Sequence, residues 1–234
     1  TKEGDLALIA ELFKLPSFDT LAAEFEVIPV DEIIEITEKF EQQIADELAD
    51  ELLACYESLE DDGSIRASSV AKRALKQICL HYLAKTQKPE AANSTNMTNV
   101  LGALSAVVKA SHPIQEELLS HFDSQWRHDV LVMDKWFALQ AIQSGNNAID
   151  NIKALYEHPC FDFSNPNRVR ALVGSFSHFN TAQFHRSDAQ GYTLLGDLLI
   201  KLNAINPQNA SRMLTPFMSW KRYDDVRSQA MKLQ

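Results

Sequence analysis

The side chains best placed to do chemistry lie in the segment Ser164-Asn-Pro-Asn-Arg-Val-Arg170, which combines a helix start with two arginines. Asn165 is a typical N-cap, and Pro166 suits the first helical position, where no backbone N–H is needed. Arg168 and Arg170 then place positive charge in the first turn, against the positive end of the helix dipole. Two interpretations stay open: the arginines are solvated or ion-paired within the protein, or they have a binding partner.

The charge distribution separates an acidic beginning from a basic end. The net charge is −10, but residues 1–63 carry 3 basic and 19 acidic side chains, whereas residues 164–234 carry 9 basic and 4 acidic ones. The overall acidity argues against non-specific nucleic-acid binding. The basic end suits an anionic ligand, a peptide carboxylate or an acidic protein surface, and an ordinary solvated surface is the alternative.

Signals for metal ligation and for nucleophilic catalysis are missing from the sequence. None of the seven histidines forms an H-x-x-x-H pair, which would place two ligands on one helix face. The pairs Cys79/His81 and His158/Cys160 do not have the spacing of a zinc site. The chain has neither a G-x-S-x-G nucleophile turn nor a phosphate-binding loop. These observations favour a binding or docking module without catalytic groups.

The cysteines and the hydropathy indicate the compartment. Cys55, Cys79 and Cys160 are far apart and lie among apolar residues, a pattern that predicts reduced, buried thiols in a cytoplasmic protein. No apolar run approaches the roughly 20 residues that a membrane-spanning helix needs. No membrane association is therefore expected.

Helical periodicity dominates the chain and predicts an all-α protein. The longest predicted helix runs from Asp31 to Leu59, a loop is expected over Lys88–Thr95, and Pro216 is expected to kink the last helix. The long helix carries apolar side chains every three or four residues, which predict one buried stripe: Ile33, Ile36, Phe40, Ile44, Leu48 and Leu52. Such helices in antiparallel succession are typical of an irregular helical array, or α-solenoid, in which helix pairs stack into a superhelix. A compact helical bundle is the alternative.

Several blocks, in order and spread over nearly the whole chain, resemble the C-terminal helical domain of the bacterial aminopeptidase N family, the zinc alanyl aminopeptidases. The more specific blocks are Val132-Met-Asp-Lys-Trp-Phe137 and Ser164-Asn-Pro-Asn-Arg168, and Asn206-Pro207, Ala210-Ser-Arg212 and Lys221-Arg-Tyr-Asp224 add to them. The resemblance implies a single helical-repeat domain over residues 1–234, a C-terminal fragment of a larger aminopeptidase. It places the zinc and the H-E-x-x-H motif in an upstream catalytic domain, so this chain is expected to hold no metal and no catalytic residue.

The resemblance also implies what this domain does. The parent enzyme would remove N-terminal residues from peptides, and this domain would close the catalytic cavity and shape peptide access. The expected partners are the catalytic domain of the same polypeptide and the peptide substrate, with no nucleic acid and no membrane.

Three residues of this chain match family positions whose side chains reach toward that cavity: Arg212, Gln208 and Arg170. Arg212 and Gln208 are four residues apart and therefore share a helix face. A guanidinium at such a place can bind a peptide carboxylate or backbone carbonyls. We expect these side chains to bind substrate without taking part in bond cleavage, and an ion pair of Arg212 within the array is the alternative.

A second function stays open from the residues alone: a freestanding helical-repeat protein that binds other proteins through a concave surface. The two hypotheses differ in what precedes Thr1 in the natural protein. A catalytic domain with H-E-x-x-H supports the peptidase hypothesis, and a native start near Thr1 supports the scaffold.

Overall fold

The computed structural model describes residues 5–60, 62–86 and 97–234. The regular structure within these ranges is helical throughout, without a strand, which confirms the predicted all-α helical array. None of the helices in the described ranges is long and apolar enough to cross a lipid bilayer. The loop expected over Lys88–Thr95 lies outside the described residues.

The α-helices follow one another closely along the chain. In order they are α1 (Leu6–Leu12), α2 (Phe18–Ala22), α3 (Val30–Glu47), α4 (Ala49–Ser58), α5 (Ala67–Leu83), α6 (Met97–Lys109), α7 (Gln115–Trp126), α8 (Val130–Ala141), α9 (Ala148–Leu155), α10 (Pro166–Val169), α11 (Ser175–Phe179), α12 (Thr181–Phe184), α13 (Gln190–Ile205), α14 (Pro207–Met213) and α15 (Asp225–Leu233). A 3₁₀ turn, Ala84–Thr86, follows α5, a π-helix, Arg170–Gly174, joins α10 to α11, and a 3₁₀ helix, Thr215–Arg222, joins α14 to α15.

The chain divides into two compact units. Unit 1 takes the described parts of Thr1–Ser17 and Glu35–Gln115, and unit 2 takes Phe18–Ile34 and Glu116–Gln234. The expectation of a single helical-repeat domain over 1–234 stays a prediction.

Unit 1 is built around α5, which packs against α1, α4 and α6. Its core includes Leu52 of α4 and Leu75 and Leu83 of α5, each of which contributes on the order of 1.5–3 kcal/mol by leaving water. Tyr82 is 1% exposed, and its hydroxyl donates a hydrogen bond of 2.6 Å to the carbonyl of Phe13. This bond ties α5 to the end of α1.

A partly buried carboxylate joins α3 to α5 in unit 1. Glu41 accepts from Nε2 of His81 at 3.0 Å and pairs with Nζ of Lys85 at 2.8 Å. Burial alone would raise the pKa of Glu41, but these two partners outweigh it and lower the pKa to about 2. The carboxylate is therefore charged at neutral pH.

The long helix predicted from Asp31 to Leu59 is in fact two helices. The backbone of Leu48, with φ −114° and ψ 18°, leaves the helical conformation between α3 and α4. Ile33 and Leu52 are buried as predicted, but Ile36 is 61% exposed and Phe40 55% exposed. The two ends of the stripe pack into different hydrophobic cores: Ile33 into the core of unit 2 and Leu52 into the core of unit 1. Ile44 and Leu48 are partly buried against the core of unit 1, so only Ile36 and Phe40 depart from the predicted burial.

Unit 2 is centred on aromatic side chains that meet edge to face. The ring of Phe184 lies 5.9 Å from that of Phe176 and 5.2 Å from that of Tyr192, and all three residues are buried. Gly191 permits this approach, because a Cβ there would lie 2.3 Å from the carbonyl oxygen of Phe184. Only glycine lets α13 begin so close to the end of α12.

The end of unit 2 is fastened to its beginning. The guanidinium of Arg222 donates to the carbonyls of Ala22, at 2.7 Å, and Phe25, at 2.8 Å, at the end of α2. In return the N–H of Ile28 donates to the carbonyl of Arg222 at 2.7 Å. The favourable interaction of a cation with the carbonyls at a helix C-terminus thus holds this segment in place.

Candidate functional site

The predicted helix start at Asn165 is confirmed. The side-chain oxygen of Asn165 accepts from the N–H groups of Asn167, at 3.0 Å, and Arg168, at 3.3 Å, and Pro166 occupies the first turn. Two of the N–H groups that a helix start leaves without partners are thereby satisfied. The segment remains helical to Phe179, but a π-helix interrupts it.

Arg168 points into the protein. Its side chain is 3% exposed, with Nε 3.1 Å from Oδ1 of Asp134 and Nη2 donating to the carbonyl of Val130 at 3.2 Å. Its guanidinium carbon lies 4.7 Å from the ring centre of Phe137. Three partners on α8 therefore hold α10, and of the two interpretations of this arginine the ion-paired one is correct.

Arg170 points outward and begins the π-helix. Its guanidinium donates to the side-chain oxygen of Asn167, which is itself exposed. Because this amide is neutral and no carboxylate among the described residues pairs with Arg170, the guanidinium remains able to bind an anion or a carbonyl. π-helical turns are rare and are found frequently at functional sites.

Arg212 and Gln208 lie on α14, which repeats the Asn-Pro start. The side chain of Asn206 accepts from the N–H of Asn209 at 3.0 Å, and Pro207 follows the cap. Arg212 and Gln208 are both exposed, one turn apart, while Ala210 and Met213 face the core. Within the described ranges the side chain of Arg212 has no hydrogen-bond or ion-pair partner, so the alternative of an ion pair within the array finds no support there.

The structure brings the two arginine-bearing elements to the same place in unit 2. The methyl carbon of Met213 reaches Gly174, the last residue of the π-helix, against which the stem of Arg170 also lies. Arg212 is the neighbour of Met213 in the chain. The three predicted residues therefore sit on adjoining elements, on exposed surface.

Most of the other cations of the basic end are already engaged. Arg227 is 7% exposed and pairs with Asp31 at 2.6 Å and Asp224 at 2.8 Å, and Arg186 pairs with Asp188 at 2.7 Å. Arg168 and Arg222 are held as described above. Three lysines lie over aromatic rings: Lys201 over Phe163, and Lys221 and Lys232 over Trp220. Arg170 and Arg212, by contrast, are exposed and pair with no carboxylate or aromatic ring among the described residues.

A buried histidine braces the C-terminal part of unit 2. Nδ1 of His185 lies 2.8 Å from the hydroxyl of Tyr192, and the His185 carbonyl accepts from Nε of Arg227 at 2.8 Å. Burial, with a smaller effect of the Arg227 charge, lowers the pKa of His185 to about 3. This histidine is neutral at pH 7 and is part of the core.

The pairs rejected as metal ligands have other partners. His81 binds Glu41, while Nδ1 of His158 accepts from the N–H of Cys160 at 3.1 Å. Burial, with the neighbouring Cys55, raises the pKa of the Cys79 thiol to about 12. No group of three or more metal-ligating side chains occurs in the part of the chain that the structure describes.

Sequence reasoning missed the features that hold Arg170. The carbonyl of Gly174, the last residue of the π-helix, accepts from the hydroxyl of Ser177 at 3.1 Å and from Nδ1 of His178 at 2.8 Å. A glycine in the middle of a predicted helix was the only available signal, and it is a weak one.

Comparison with known proteins agrees with this description. The profile of a family described as a domain of unknown function with ARM repeats, DUF3458_C, matches residues 1–234. Aminopeptidase N of Escherichia coli strain K12 is 39% identical over 237 residues, which cover 97% of this chain and 27% of that protein. Aminopeptidase N of Haemophilus influenzae is also 39% identical, with 98% of this chain and 27% of the relative covered. For Caulobacter vibrioides aminopeptidase N the identity is 34%, with coverages of 97% and 28%.

A solved structure shows the same fold. The crystal structure of Legionella pneumophila aminopeptidase A in complex with aspartic acid matches with a TM-score of 0.86 and 28% identity, over 99% of this chain and 29% of that chain. The chain spans about a quarter of the length of the curated relatives it matches. On these grounds the chain belongs to the DUF3458_C family of ARM-repeat domains and corresponds to the C-terminal helical domain of bacterial aminopeptidase N.

Proposed function

We propose that this chain is a helical domain that lines the substrate cavity of a zinc-dependent aminopeptidase. The enzyme removes N-terminal residues from peptides in the cytoplasm. The names of the relatives support the activity of the whole polypeptide. In this proposal the zinc supplies the hydrolytic chemistry in the remainder of the polypeptide, and the present domain closes the cavity and limits which peptides enter.

Arg212, Gln208 and Arg170 bind the peptide in this proposal. The observation that carries it is the exposed guanidinium of Arg212, unpaired within the described residues, with the Gln208 amide on the same face of α14. The guanidinium donates to peptide carbonyls or to a terminal carboxylate, and the amide can both donate and accept. None of these groups is a proton shuttle at neutral pH, so they position the substrate and leave the bond cleavage to other residues.

Exposed apolar side chains continue this surface. Leu214, 42% exposed, and Met218, 73% exposed, lie two and six residues after Arg212 in the chain. Large exposed apolar side chains next to a polar site are typical of an interface. We assign this edge to contact with the catalytic part of the same polypeptide.

The test is steady-state kinetics of the complete polypeptide with Arg212→Ala. Loss of charge-assisted hydrogen bonds worth about 1.5–3 kcal/mol should raise KM for peptides roughly 10- to 100-fold and leave kcat almost unchanged. Arg186→Ala is the matched control, because that guanidinium already pairs with Asp188. An unchanged KM across peptides of several lengths would refute the role of Arg212.

A further inference from the structure

Gly174 lies where a side chain would collide with the stem of Arg170. A Cβ built on Gly174 would be 3.2 Å from Cγ and 3.7 Å from Cβ of Arg170. The first distance is tighter than ordinary van der Waals contact, so the methylene stem of Arg170 occupies space that any other residue would fill. Gly174 is buried, so the stem of Arg170 lies against a surface that solvent does not reach.

The other end of the Arg170 side chain is also held. Its guanidinium donates to Oδ1 of Asn167, one turn earlier. The stem on Gly174 and the head on Asn167 therefore define one direction for a side chain that would otherwise sample many rotamers.

The backbone under the stem is fixed as well. The carbonyl of Gly174 accepts from Ser177 and His178, as described above, which satisfies an oxygen of the π-helix. Met213 of α14 approaches the same spot, with its methyl carbon 3.5 Å from the built Cβ. That distance is an ordinary contact, so a methyl group on residue 174 would disturb Arg170 and spare Met213.

We propose that Gly174 is a positioning residue for peptide binding, which acts by leaving room for the stem of Arg170 and so directs its guanidinium. This inference rests on the proposed function, because it assumes that Arg170 binds peptide. The hydrogen bond to the Asn167 amide is the second interaction that positions the Arg170 side chain. Loss of either interaction changes the direction of the guanidinium without removing its charge.

The experiment is Gly174→Ala in the complete polypeptide, with KM, kcat and Tm measured together. Alanine is the better helix former, and Arg170 is an exposed side chain that can move aside, so Tm should stay the same or rise. KM for peptides should rise about 3- to 10-fold at unchanged kcat. A purely structural role of Gly174 predicts a lower Tm without a change confined to KM, and that result would overturn the proposal.

A double-mutant cycle separates this inference from the proposed function. If Gly174 acts through Arg170, Gly174→Ala should have no further effect on KM in an Arg170→Ala background. A raised KM for Arg170→Ala with an unchanged KM for Gly174→Ala would overturn the positioning role alone. An unchanged KM for Arg170→Ala would overturn both this inference and the part of Arg170 in the proposed function.

Two further variants provide a control and an independent test. Gly196→Ala, on α13, is the matched control, because the three atoms nearest to a Cβ there all belong to the side chain of Gln234, and its KM should not change. Asn167→Ala releases the guanidinium without adding bulk, so it should raise KM by a similar factor even if Gly174→Ala fails to fold. A KM for Asn167→Ala equal to that of the unmodified protein would contradict the positioning of Arg170 by Gly174 and Asn167 together.

Discussion

The buried ion pair between Arg168 and Asp134 provides a demanding test of the structure. The two side chains are 3% and 19% exposed, so they differ in how well water can replace a lost partner. Asp134→Leu leaves a guanidinium inside unit 2 without its counter-charge. Arg168→Met leaves a carboxylate that water can partly reach, and combining the two changes removes both charges.

The magnitudes follow from this difference in exposure. An uncompensated buried charge costs about 3–5 kcal/mol, so Asp134→Leu should be the most destabilised variant. Arg168→Met should cost about 1–3 kcal/mol, the penalty of a partly hydrated carboxylate that has lost its counter-charge. The double variant should cost only about 0–2 kcal/mol, because well-packed apolar groups replace a buried ion pair at little net cost. Asp134→Leu should therefore be less stable than the double variant that contains it.

Tryptophan fluorescence during urea unfolding measures the relevant transition, because Trp126, Trp136 and Trp220 all belong to unit 2. Arg186→Met serves as a control for an ion pair that water reaches, and it should cost less than about 1 kcal/mol. The reasoning is refuted if the double variant is less stable than Asp134→Leu, or if the single variants are equally stable.

Two other predictions concern the packing of unit 2. Since the pKa of His185 falls from 6.5 to about 3 on folding, the unfolded chain takes up a proton first as the pH drops. Stability should fall by about 2–3 kcal/mol between pH 7 and pH 4.5, and His185→Gln should remove that share of the loss in urea unfolding at the two pH values. Arg222→Ala deletes the donor for two carbonyls of the segment 18–34, so local opening should become easier by about 1–3 kcal/mol and limited proteolysis should cut there faster. Equal cleavage rates would show that Arg222 does not hold this segment.

Local signals explain why the helix starts were predictable. Asn165 and Asn206 each cap their own helix within three residues, and the following proline needs no distant partner. Such short-range chemistry is fully contained in the sequence. The residue at which α14 begins, and therefore the place of Arg212 along that helix, follows from these local signals.

Long-range partners explain what was not predictable. The apolar stripe of α3 predicts burial at Ile36 and Phe40, but periodicity does not reveal that the chain changes from one core to another at this point. The π-helix has no residue signature of its own, because it depends on packing that the local sequence does not encode. The inward direction of Arg168 depends in the same way on Asp134, more than thirty residues earlier.

The two arginines that opened the sequence analysis have opposite roles, and helix geometry separates them. Residues two apart on a helix point about 200° away from each other, so an arginine anchored in the core at position 168 directs position 170 toward solvent. The block Ser164-Asn-Pro-Asn-Arg168 is therefore understood as an anchor, made of a cap, a proline and a buried cation. This block holds the surface in place, whereas the proposed contact with peptide begins at Arg170, just beyond it.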